Sequence, residues 1–214
     1  MERLIQTVIL GIIQGLTEWL PISSSGHLKI AEKTLGLEVP LLFDVALHLG
    51  TLAVVLMFFR DDVKGVISAL AKLDFKSEYG RLISLIIVGS IPTAILGLAF
   101  NTFVETILND VSTVALALLV CGAMLYAAKF SKENEREISL KTAFIVGLAQ
   151  GFAVVPGLSR SGLTIATALI LGAQREKAFK FSFLLSIPAI IGAFCLTFYS
   201  HVEKLASSVG YAEV

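Results

Sequence analysis

Charge is in short supply. Only 16% of the 214 residues are Asp, Glu, Lys or Arg, and 17 of each sign cancel to a net charge of zero. Soluble domains carry about a quarter charged residues, so a soluble core is excluded, and without a positive balance nothing favours nucleic acid as a partner. Cysteine is rarer still. Cys121 and Cys195 both lie inside apolar runs, which argues against a disulfide framework and leaves them as small packing residues. No A-x-A cleavage site follows the N-terminal apolar run, and that run contains Gln6, Gln14 and Glu18; it is expected to stay in the mature chain.

What is plentiful is apolar surface: 56% of residues are hydrophobic and the mean hydropathy is +0.84. A spanning helix needs about 20 apolar residues, and four segments approach that: Leu41–Phe59, Leu82–Phe100, Val111–Ala128 and Phe181–Tyr199. The last three contain no charged residue; the first contains Asp44 and His48. Runs this long favour helices over the short alternating strands of a barrel. The expected fold class is an all-α integral membrane protein.

An internal repeat organises the chain. Shifting the sequence by 136 residues aligns Leu4–Leu49 with Leu140–Leu185 without gaps, and 12 of 46 positions are identical. Among them are Gln14/Gln150, Gly15/Gly151, Ser23/Ser159, Ser25/Ser161, Gly26/Gly162 and Gly36/Gly172. Each copy opens with an apolar run that Pro21 or Pro156 interrupts, followed by serines and glycine. Proline breaks a helix, and broken backbone at membrane depth is tolerated only when buried or lining a wet cavity. Each opening therefore reads as a re-entrant helical hairpin. Three full crossings separate the two hairpins, so they enter from opposite faces as an inverted-topology repeat, with a fourth crossing after the second. The expected division of this single polytopic domain, residues 1–214, is repeat one over 1–128, a polar connector over 129–139, and repeat two over 140–214. Lys and Arg are dense in 60–81, 129–141 and 172–180, with five, four and three respectively, and absent from 101–110. By the positive-inside rule the three basic segments are cytoplasmic, and the first hairpin enters from outside.

The chemistry sits in the hairpins. In QGLTEWLPISSSGH, Gln14 to His27, spacings of three and four put Gln14, Thr17 and Glu18 on one helix face. A carboxylate in hydrocarbon is costly and points to a functional site, as a general base or as an oxygen ligand to Mg²⁺ or Ca²⁺. Ser23, Ser24 and Ser25 precede Gly26; one hydroxyl suffices to cap the second half-helix, which leaves two more and His27 beside an acid, the outline of an activated nucleophile. The second hairpin supplies a cation. PGLSRSG places Arg160 between Ser159 and Ser161 at the start of another half-helix, where free N–H groups and a planar guanidinium suit phosphate oxygens. At the repeat offset Arg160 answers Ser24, Val154 answers Glu18, and Leu163 answers His27. Convergence of the two would build a phosphate site inside the membrane.

These residues resemble the undecaprenyl-pyrophosphate phosphatase, or bacitracin-resistance protein, family. QGLTEWLPISSSGH is similar to its first signature and PGLSRSGLT, Pro156 to Thr164, to its second; FDVALHLGT, Phe43 to Thr51, and FSFLLSIPA, Phe181 to Ala189, are also similar to family segments. The resemblance runs almost end to end. It implies hydrolysis of a polyprenyl diphosphate to the monophosphate carrier used in cell-envelope polysaccharide and peptidoglycan synthesis, usually with a divalent metal, in the cytoplasmic membrane with the site opening to the outer face. It implies functional roles for Gln14, Glu18, Ser23, Ser24, His27, Ser159, Arg160, Ser161 and Thr164. In that reading Arg160 and the hairpin N–H groups hold the diphosphate with Ser25 alongside. Ser24 or His27 attacks, or His27 activates water, and Glu18 is base or ligand to Mg²⁺ or Ca²⁺. The chain departs from the family pattern in two ways: Gln14 stands where the first of two acids is often glutamate, and the sequence ends at Val214, short of two further helices, so repeat two is expected to be incomplete. A polyprenyl-phosphate flippase and a truncated lipid-phosphate-binding paralogue are the alternative readings. The sequence leaves homo-oligomerisation, chain-length preference and the nucleophile open.

Overall fold

In the computed structural model the backbone is described for residues 2–37, 39, 41–107, 111–131 and 136–210, and side chains for 5–37, 39, 43, 46–100, 111–131 and 136–199. Among the described residues the regular structure is helical, with turns between the helices and one isolated bridge, Arg136 to Ala173, that ties the connector to the turn before the last helix. The order is α1 Glu2–Trp19, α2 Ser24–Leu35, α3 Leu41–Phe58, α4 Arg60–Ala71, α5 Glu78–Ile107, α6 Val111–Ala128, α7 Leu140–Phe152, α8 Arg160–Ile170 and α9 Arg175–Gly210.

Three stretches are long and apolar enough to cross a membrane: Glu78–Phe100, Val111–Ala128 and Arg175–Tyr199. They contain three of the four expected crossings, the first and last extended backwards by charged helical turns. The fourth expected crossing, Leu41–Phe59, is helical as α3, whose described apolar part is the shorter Ala46–Phe58. The basic segment after it is not simply a loop. Its first part folds as α4, an amphipathic helix with Ala69 buried and Ile67 and Leu70 exposed. The exposed large apolar side chains of α5, α6 and α9, among them Ile95, Leu119 and Phe198, have no role in a water-facing surface and suit contact with lipid.

The two proline-interrupted segments form helix–turn–helix units whose landmarks recur at the 136-residue offset. Ser23 and Ser159 are both N-caps, with hydroxyls accepting from the N–H of Gly26 at 3.2 Å and of Gly162 at 3.0 Å. Gly36 and Gly172 both close the second helix with positive φ, 65° and 86°. The turns abut each other: a methyl group placed on Gly162 would lie 2.9 Å from the Pro21 carbonyl oxygen.

The core that holds the second unit is α5 against α7 and α8 against α9. A methyl group on Gly147 would fall 2.0 Å from the Gly89 carbonyl oxygen, so the α5 and α7 backbones touch. Thr93 locks the crossing by offering its hydroxyl to the carbonyls of Gly89 and Gly147, each at 2.9 Å. Small residues plus a hydroxyl at a helix crossing is how helices associate where apolar burial gives no drive. Around it pack Ala143, Val146, Ala168, Ala178, Phe181 and Leu185. A second cluster, Val55, Phe59, Phe183 and Leu184, receives Trp19 from the end of α1, whose ring stacks on Phe183 at 4.7 Å.

Candidate functional site

The end of α1 and the start of α8 meet. Glu18, 6% exposed, directs one carboxylate oxygen, Oε1, to Arg160 Nη2 at 2.5 Å. Its other oxygen accepts from the Ser24 hydroxyl at 2.6 Å and from Gln14 Nε2 at 3.1 Å. The pair joins residues 142 apart in sequence. Each partner is placed by its own capped helix: Ser23 ends the turn after α1 so that Ser24 opens α2, and Ser159 does the same for Arg160. Phe183 lies under the guanidinium, 5.7 Å from Cζ to ring centroid, a cation–π contact that holds the arginine plane. Arg160 Nη1 is buried with no hydrogen-bond partner among the described residues, and a buried guanidinium N–H without a partner is costly.

These groups border a cavity of about 310 Å³, at the small end of ligand sites. Glu18, Ser24, Ser25, Ser159, Arg160 and Ser161 are on its wall, with Val154, Leu158 and Ile190 giving it an apolar side. The other expected residues stand off it. Gln14 is buried behind Glu18. Ser23 is used as a cap, in a strained conformation with φ 73°. Thr164, fully buried, hydrogen-bonds Ser182 at 2.5 Å and ties α8 to α9. His27 is not on the cavity wall; its Nδ1 is 2.7 Å from the Ser23 carbonyl oxygen. The three serines thus divide their work: Ser23 caps, Ser24 donates to the acid, and Ser25 accepts from the Gly157 N–H of the opposing turn at 3.4 Å.

Four polar wall residues were not among the expected site residues: Thr17, His48, Thr93 and Gln150. His48 Nδ1 is 3.0 Å from Gln14 Nε2 and 3.6 Å from Glu18 Oε2. Its signal in the sequence was an ionisable group inside an apolar run. Gln150 repeats Gln14, and its amide donates to Thr93 and to the Leu185 carbonyl, both at 3.3 Å. Thr93 carried no signal.

The protein donor set for a divalent cation is thin. Among the described residues no three His, Cys, Asp or Glu side chains cluster, and the single carboxylate, Glu18, already faces a guanidinium. A buried arginine–carboxylate pair over two capped helix starts does not fit Mg²⁺ or Ca²⁺ held by the protein alone.

The structure is thus a helical protein with segments long and apolar enough to cross a membrane, in which an acid from the end of α1 meets a hydroxyl and an arginine from the starts of α2 and α8. More specifically, residues 7–212 match the family model described as bacitracin resistance protein BacA, and the chain belongs to that family. It is 47% identical over 209 residues to an undecaprenyl-diphosphatase of Carboxydothermus hydrogenoformans, covering 96% of this chain and 77% of that protein. An undecaprenyl-diphosphatase of Methanosphaera stadtmanae is 45% identical, with 90% and 76% covered. One of Desulforapulum autotrophicum is 41% identical, with 99% and 82% covered.

Proposed function

We propose that the chain hydrolyses undecaprenyl diphosphate to undecaprenyl phosphate and phosphate, recycling the lipid carrier of envelope synthesis. The observation that carries this reading is the Arg160–Glu18–Ser24 contact on a cavity with one apolar side, in a chain of this family. The diphosphate takes the Arg160 guanidinium, including the free Nη1, and displaces Glu18 from it. Glu18 then faces Ser24, whose Oγ attacks the terminal phosphorus as its proton passes to the carboxylate. The bond from that phosphorus to the bridging oxygen breaks, and undecaprenyl phosphate leaves. Water attacks the phosphoserine, returning the hydroxyl and releasing phosphate. The leaving group is a good one, so positioning and charge neutralisation supply most of the catalysis. Val154, Leu158 and Ile190 suit the first prenyl units. The geometry favours Ser24 over His27 as nucleophile, since the His27 ring is engaged with backbone away from the wall. The expected Mg²⁺ or Ca²⁺ is a separate proposal: a counter-cation that would accompany the diphosphate, with Glu18 the one carboxylate that the described residues put on the cavity wall, checked by binding of the diphosphate with and without a chelator.

The re-entrant, inverted arrangement of the hairpins is part of the same reading. Supporting it are the matching caps 136 residues apart and the abutting turns. The basic segments support a cytoplasmic face at Lys72 and Ser131 and a site open to the outer face of the cytoplasmic membrane. Single cysteines at 72 and 131 in a background lacking Cys121 and Cys195 should resist an impermeant thiol reagent on intact cells; labelling before lysis reverses the orientation. The function is tested by phosphate release from undecaprenyl diphosphate by purified protein. Release is expected. Its absence, with transbilayer movement of undecaprenyl phosphate in proteoliposomes, would turn the reading to a flippase; its absence with binding alone, to a lipid-phosphate-binding protein.

A further inference from the structure

We propose that His48 is a further phosphate-binding residue, and that Gln14 equips it by fixing the imidazole in its neutral form with the proton on Nε2. The proposal rests on the diphosphate reading of the cavity. Its starting point is the amide of Gln14, which is 1% exposed and sits between two acceptors. Gln14 Nε2 is 3.1 Å from Glu18 Oε2 and 3.0 Å from His48 Nδ1. Glu18, paired with Arg160, is a carboxylate and can only accept. The opposite amide orientation would set two oxygens against each other at that distance, so the network assigns the nitrogen to this side. That nitrogen has two hydrogens: one goes to Glu18, the other to His48 Nδ1. Nδ1 is therefore the accepting nitrogen, and the ring proton sits on Nε2. The 3.6 Å from Nδ1 to Glu18 Oε2 is too long for a competing hydrogen bond.

The consequence lies on the cavity side. His48 is on the wall with Glu18, Ser24 and Arg160, its side chain is 32% exposed, and its Nε2 has no partner among the described residues. A neutral N–H donor on the same cavity wall as the arginine fork is suited to a non-bridging phosphate oxygen. It adds a hydrogen bond without a second cation beside Arg160. Gln14 then serves as a positioning residue, acting through His48 and not on the substrate.

Two readouts test this. Histidine-selective ¹⁵N NMR of the purified, detergent-solubilised protein, with the His48 signal assigned by its loss in His48→Gln, should show the neutral Nε2–H form. Adding methylenediphosphonate, a non-hydrolysable diphosphate, should shift that Nε2–H signal. An Nδ1–H ring, a charged ring, or no response to the diphosphonate overturns the proposal whether or not the protein hydrolyses lipid. In turnover, His48→Gln places an amide near the Nε2 position, whereas His48→Asn places one near Nδ1. His48→Asn should lose about tenfold in kcat/KM, the scale of one hydrogen bond, and His48→Gln should keep most of it, at matched thermal stability. Equal rates for both, or the reverse order, sink the donor role. If the parent releases no phosphate, the functional reading fails separately, and the NMR arm still decides the His48 assignment.

Discussion

The two helix–turn–helix units share a scaffold and differ in almost everything else. In both, a serine hydroxyl caps a helix at the same repeat position. Yet α8 is mostly buried, from Ser161 to Thr164 and from Ala166 to Ala168, whereas α1 leaves Ile5, Val8, Ile12 and Leu16 exposed. The acid hangs on the peripheral unit and the cation on the central one. The turns differ too: the second takes its positive φ at Gly157, the first at Ser23, where a side chain makes it strained. In both units the cap is what packing requires, and the residue next to it is free to become chemistry, Ser24 in one and Arg160 in the other. Packing changes should therefore cost more in α7 and α8 than in α1, whereas loss of either member of the Glu18–Arg160 pair should lower turnover and stability together.

The largest effect is expected from Glu18→Gln, which keeps the shape and removes the charge. Turnover should fall roughly 10²–10⁴-fold, the range of an acid–base group, and the melting temperature should fall too, because Arg160 is left buried beside a neutral amide. Phosphate release and a melting curve on the same sample check both halves; parent-level turnover in a folded variant contradicts the mechanism.

Next comes Arg160→Ala, with a loss of roughly 10²–10³ in kcat, as for one preorganised donor. Like Glu18→Gln it should also lower the melting temperature, because Glu18 is left buried without its partner. Arg160→Lys retains charge without the fork and should remain clearly impaired. An Arg160→Lys enzyme with parental kcat/KM would show that the planar fork is not used.

The smallest effects compare equivalent glycines. Gly147→Ala drives a methyl into the Gly89 carbonyl, whereas a methyl on Gly11, its repeat counterpart, meets nothing within 4 Å. Overpacking of this kind costs about 1–3 kcal/mol, so Gly147→Ala should melt lower. Gly11→Ala should be neutral or slightly stabilising, by up to about 1 kcal/mol from helix propensity. Equal melting shifts would mean that the two units are packed alike.

Much of this was legible in the sequence, and the reasons are local. Proline followed by Ser-x-Ser-Gly announces a break and a cap; both helices break by the prolines, and the caps are Ser23, one of three serines the sequence left equal, and Ser159. Glu18 and Arg160 stood out because hydrocarbon makes each costly. What escaped is what depends on the register of distant helices. His48 was visible as an ionisable group in α3, but nothing local says which way α3 turns it. Thr93 is one threonine in an apolar helix, and only the α5–α7 crossing gives it partners. His27 is near Ser24 in sequence, and what no local pattern reveals is that its Nδ1 lies 2.7 Å from the Ser23 carbonyl oxygen, off the cavity wall. The α4 helix was taken as loop because its charges were read ahead of its period.

The central claim is that groups from both units work on one phosphate. The direct measurement is phosphate release by purified Ser24→Ala, Arg160→Ala and the double variant, at matched thermal stability. Residues that serve one chemical step lose non-additively, so the double variant should be little slower than the slower single. Losses that multiply in full would mean that Ser24 and Arg160 act independently, and that the meeting of the two turns is not the site of hydrolysis.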